Sequence, residues 1–253
     1  MFLPLFFLWT VSCKRTSLVK YAIRVVRNQT HVCGGVLFTA RIALTDSSCL
    51  QPRNAICYVA IIQSRYNYHV KSVYEHVKVK EVITSPIVHI GKTSIVALVL
   101  DPPKTTSLPL TLDQSGIGNY AYLSFLLVGW SLGNQNSTPG IMSIDLYTHQ
   151  CPTSRTTHLH PSLCLSQGHS TQPMCLLDPG SPLIYMNVDV PILIGIKGSC
   201  CTIHSSENSD VKQHARFIPV FHNYHWLKKL ENGIKFLGHF LLLNTPNNDL
   251  LPF

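Results

Sequence analysis

Apolar residues in this chain come in short runs cut off by turn-forming residues, and that spacing constrains the fold more than any other feature. Val36-Leu37-Phe38, Ile42-Ala43-Leu44, Val59-Ala60-Ile61-Ile62, Val77 to Ile83, Ile95 to Leu100, Tyr122 to Val128 and Leu183 to Ile196 are apolar or alternate apolar with polar residues. Runs of this length, with little helical periodicity between them, predict an all-β fold rather than alternating βαβ units. A helical pattern emerges only near the end. There Tyr224, Leu227 and Leu230 share one face of a predicted helix that closes before Asn232-Gly233. The breaker-rich stretch from Asp101 to Gly118 lies near the middle and divides the chain into two halves. Charged residues make up 13% of the chain, about half the usual share, which argues against long charged helices and coiled coils.

Several features point to an oxidising compartment. Residues 1–13 read as a signal peptide, a short apolar block closed by small residues, although no positive charge precedes it. Nine cysteines suit a disulfide-bonded extracellular chain. Glycosylation sequons stand at Asn28 and at Asn136, the second weakened by Pro139. No apolar run approaches the roughly 18 residues of a membrane span, so no transmembrane segment is expected. The net charge of +8 is carried by the first part: residues 1–100 hold 12 Lys and Arg against 3 Asp and Glu. His76, Lys78 and Lys80 would share one strand face there, the nucleus of a polyanion-binding patch.

The motifs resemble a known family. His31-Val32-Cys33-Gly34-Gly35, then Thr45-Asp46-Ser47-Ser48-Cys49, are similar to the Cys-Gly-Gly and Thr-Ala-Ala-His-Cys segments of trypsin-like serine proteases. Ser94 to Leu100, Val128-Gly129-Trp130, Cys175 to Leu183 and Trp226-Leu227 follow in the family's order. The resemblance implies two six-stranded antiparallel barrels with a cleft between them and a C-terminal helix. It places a trypsin-like domain over residues 14–230, with barrels at about 21–112 and 119–230, and leaves 231–253 as an extension. It also implies bridges between Cys33 and Cys49, between Cys151 and Cys164, and between Cys175 and Cys200 or Cys201. A fourth family bridge would join the positions of Phe125 and Tyr185. Cys13, Cys57 and one of the vicinal pair stay unassigned.

The same alignment removes the chemistry. Family proteolysis needs a hydroxyl nucleophile, a histidine base and a carboxylate that orients it. Their positions here hold Pro179, Ser48 and Ser94. A serine cannot act as base near neutral pH, and a proline supplies no N–H to the oxyanion hole, leaving only that of Leu177. Ser181, two residues on, is read as a turn residue rather than a substitute nucleophile. Asp178 is expected to cap a local turn or meet solvent. Pro173 replaces the pocket aspartate that binds Lys or Arg in trypsin-like members, and the pocket wall falls near Ile196-Lys197-Gly198. The His158/His160 and His222/His225 pairs lack a third ligand at motif spacing, so neither a metal nor a cofactor is expected.

The expectation is therefore a secreted, inactive protease homologue that binds a protein partner or a polyanion such as a glycosaminoglycan or anionic cell surface, and not nucleic acid. The alternative is a hydrolase with an unorthodox catalytic centre.

Overall fold

The structure is a computed structural model that describes residues 17–27, 30–50, 58–67, 70–89, 93–103, 110–116, 124–130, 140–145, 147–150, 163–167, 174–205 and 211–243. Six strands open the chain: β1 (Ala22–Arg27), β2 (Thr30–Leu37), β3 (Ile42–Asp46), β4 (Tyr58–Asn67), β5 (Val70–Thr84) and β6 (Ile95–Asp101). They pair in the order β1-β2-β3-β6-β5-β4, and β4 returns to β1, so the sheet closes into a barrel without unpaired edges. β3 is buried along its whole length and β6 on all but its last residue, Asp101. Such strands read as continuous apolar runs because both faces meet protein. β5 alternates instead, with Val77 and Val79 buried and His76, Lys78 and Lys80 exposed.

The second half contains β7 (Thr111–Leu112), β8 (Ser124–Gly129), β9 (Gly140–Asp145), β10 (Tyr147–Gln150), β11 (Leu163–Gln167), β12 (Pro182–Asn187), β13 (Val190–Ser205) and β14 (Val211–Pro219), then helix α1 (Val220–Leu243). The strands form an eight-stranded sheet in the order β10-β11-β14-β13-β12-β8-β9, with β7 laid parallel on β13. β7 falls inside the predicted boundary and pairs with Ile192 and Leu193 of β13.

Of the two six-stranded barrels expected, the first closes; among the described residues β9 and β10 end the second sheet without pairing to each other. Two sequence expectations need correction. Leu183 to Ile196 is two strands rather than one, because Asn187 pairs with Val190 across a tight turn at Val188-Asp189. The helix does not close before Asn232-Gly233. It continues to Leu243, since Gly233 avoids the left-handed conformation that stops helices.

Apolar packing falls into three clusters. One lies inside the first barrel around Ile23, Val25, Ala43 and Leu98. A second lines the other sheet around Phe125, Leu127, Met174 and Phe217. The third joins the two sheets and the helix through Val36, Leu44, Trp130, Ile196, Ile218 and Leu227. The rings of Phe125 and Tyr185 meet at 5.9 Å.

Candidate functional site

The three positions singled out in the sequence come together where the two sheets join. Ser48 sits in a single 3₁₀ turn, Ser47–Leu50, that follows β3, and the Cys33–Cys49 disulfide ties that turn to β2. Ser94 precedes β6, which pairs with β3. The Ser47 N–H donates to the Ser94 carbonyl at 3.0 Å, and the Ser94 N–H donates to Ser47 Oγ at 3.0 Å. Pro179 lies in the turn before β12, and its carbonyl accepts the Gly34 N–H at 2.9 Å. Gly180 follows at φ +88°, and a Cβ there would collide with the Gly34 carbonyl. That turn is thus pressed against the first barrel at the Cys-Gly-Gly motif.

The hydroxyl of Ser48 is committed to a carboxylate that the sequence reading passed over. Ser48 Oγ donates to Asp46 Oδ2 at 2.6 Å, and Asp46 is fully buried. Burial pushes the Asp46 carboxyl above the ordinary aspartate range. The Ser48 hydroxyl and the main-chain N–H groups of Ser48, Ser199 and Ser47 pull it part of the way back. Its other oxygen, Oδ1, finds no hydrogen-bond partner among the described residues. An Asp at a strand end before Ser-Ser is a capping signal, so its local role was legible, though its burial was not.

The main-chain donors around Pro179 are spent. The Leu177 N–H donates to the Met174 carbonyl at 3.3 Å, Asp178 N–H to Trp130 at 3.1 Å, Gly180 N–H to Lys197 at 2.7 Å and Ser181 N–H to Asp178 at 3.3 Å. Pro179 has no N–H to give. Ser181 is fully buried, its hydroxyl wedged against Gly129 and close to Gly34, and it finds no partner among the described residues. Asp178 is fully buried too, which removes the solvent-facing alternative and leaves the turn closed by its carbonyl.

The chain matches the trypsin family over residues 8–227. It belongs to the trypsin family. It is also 28% identical over 180 residues to human granzyme M, an alignment that covers 65% of this chain and 68% of that protein. Trypsin-family membership accounts for the joined sheets, the terminal helix and the Cys33–Cys49 bridge.

Cys164 and Cys175 are each disulfide-bonded, and the sulfurs they bond to lie outside what the structure describes, as do Cys13, Cys57, Cys151 and the side chains of Cys200 and Cys201. The signal segment 1–13, Asn28, Asn136, Pro173, His158 and His160 also lie outside the described residues. His222 stacks on the buried His89 at 5.5 Å, and His225 meets Tyr224 edge-on. Among the described residues no three His, Cys, Asp or Glu side chains converge. His76, Lys78 and Lys80 do share an exposed face of β5, with Asp101 of β6 standing opposite Lys78. No helix among the described residues is long and apolar enough to cross a membrane.

Proposed function

We propose that this chain is a secreted, catalytically inactive member of the trypsin family that works by binding. One observation carries the reading: the nucleophile position is a proline whose neighbouring N–H groups are all engaged inside the protein. Acyl transfer needs a hydroxyl, a base within reach of it, and donors aimed at the developing oxyanion. Ser48 offers no imidazole, Ser94 no carboxylate, and the 177–181 turn no free donor. The signal segment, the sequons and the bridges at Cys151–Cys164 and Cys175 with Cys200 or Cys201 belong to this reading as proposals, as does the second barrel.

For the ligand we favour a polyanion, such as a glycosaminoglycan or anionic cell surface, met by His76, Lys78 and Lys80 on β5. The excess charge of residues 1–100 supports it, and a protein partner is the other outcome. A heparin column separates them: retention at about 0.15 M salt with release above it supports the polyanion, and flow-through there removes it.

A second reading is carried by the 2.6 Å contact between Ser48 and Asp46, which resembles a nucleophile and a carboxylate base. A fluorophosphonate probe on the purified protein decides between the two. An unlabelled chain supports the inactive scaffold; a covalent adduct on any serine overturns it in favour of an unorthodox hydrolase.

A further inference from the structure

Lys197 is 1% exposed, a fully buried ammonium-bearing side chain. Strand register explains where it goes. Lys197 stands opposite Phe217 of β14, and paired residues of antiparallel strands project to the same face of the sheet. Phe217 packs with Met174, Leu177 and Ala215, so the four-carbon stem of Lys197 leaves β13 toward that cluster. Its Nζ lies 3.5 Å from the Gly198 carbonyl, an acceptor of the kind that a buried ammonium requires. Its backbone is locked to the turn beside Pro179: the Gly180 N–H donates to the Lys197 carbonyl at 2.7 Å, and the Lys197 N–H to the Ser181 carbonyl at 2.8 Å. In the family alignment this stretch is the wall of the pocket that receives a substrate side chain.

We propose that Lys197 fills that pocket from within, so that the chain supplies its own primary ammonium where trypsin-like members take one from a substrate. This deepens the reading of the chain as an inactive binding protein and rests on it: with the pocket filled from within, a ligand is met elsewhere on the surface.

Lys197→Ala deletes Cγ, Cδ, Cε and Nζ, and n-propylammonium carries the same four heavy atoms. Added n-propylammonium chloride should raise the Tm of K197A saturably, by about 3 to 5 °C at tenfold excess over its Kd. The unaltered protein and K197M, whose pocket stays full, should move no more than with equal sodium chloride. An equal rise in the unaltered protein, or a folded K197A with no saturable rise, overturns the proposal. A variant-free arm keeps it testable should K197A fold poorly: an amine-acylating reagent on the native chain should modify the exposed Lys20, Lys78 and Lys80 and spare Lys197. Acylation of Lys197 at their rate overturns it. Fluorophosphonate labelling would instead fell the inactive reading and leave the filled pocket standing.

Discussion

The Gly34 N–H donates to the carbonyl of Pro179 at 2.9 Å, so Pro179 has a structural task that uses only the half of a peptide group a proline retains. The site is therefore organised as a joint. Thr45 Oγ1 donates to the Gly34 carbonyl at 2.8 Å, and the Cys33–Cys49 bridge adjoins both. These contacts join the barrel to the second sheet through main-chain groups, one threonine hydroxyl and one disulfide.

Pro179→Ser returns a hydroxyl and an N–H and leaves the carbonyl that Gly34 uses. It is expected to change stability by no more than about 1 kcal/mol. It should also remain unlabelled by a fluorophosphonate, because loss of the base alone costs roughly a millionfold in such enzymes. Mass spectrometry of the treated variant checks this, and an adduct on residue 179 would reveal a base elsewhere.

Gly180→Ala tests the joint directly. The position has φ +88°, and the added Cβ would clash with the Gly34 carbonyl and lie 2.5 Å from Thr45 Oγ1. Left-handed backbone penalty and overpacking together should lower unfolding free energy by at least about 3 kcal/mol, read as a shift in urea midpoint. A loss below about 1 kcal/mol would show that the turn can move away from the barrel.

Much of this was legible in the sequence, and the exceptions share a physical cause. Ile95 to Leu100 declared itself because both faces of β6 are buried, and Val77 and Val79 because one face of β5 is. β1 stayed hidden behind Arg24 and Arg27, since nothing local reveals that Arg24 is nearly buried and lies 6.0 Å from the Trp130 ring. The burial of Asp46 and Lys197 stayed hidden for the same reason. Their burial depends on which strand stands opposite, and register is a long-range property. The extension of α1 past Gly233 escaped because a glycine stops a helix only when it turns left-handed.

Asp46→Asn should flatten the dependence of stability on pH. Burial raises the folded carboxyl above its ordinary value, so the folded chain holds a proton that the unfolded chain has already released. Stability from protonated Asp46 is complete below the ordinary aspartate pKa of about 3.9 and is lost as pH rises through the raised folded value. Asparagine is neutral throughout and still accepts from Ser48. The variant should therefore gain on the unaltered protein as pH rises from strongly acid to neutral, in paired urea titrations. A gap that stays constant, or one that moves the other way, would mean that Asp46 is not held above its ordinary value.

Val188→Gly should stabilise the chain. Val188 adopts φ 55° as the first of two residues linking β12 to β13, where Asn187 pairs with Val190. A β-branched side chain is strained there, at a cost of about 1 to 2 kcal/mol. At 86% exposure it has little packing to lose. Glycine relieves the strain but enlarges the freedom of the unfolded chain, which returns part of the gain. The net expectation is about 1 kcal/mol, seen as a higher urea midpoint with an unchanged slope. Val188→Asn, which tolerates the same conformation with less unfolded-state freedom, should gain as well. If both variants lose stability, the valine side chain makes a contact that outweighs its backbone strain.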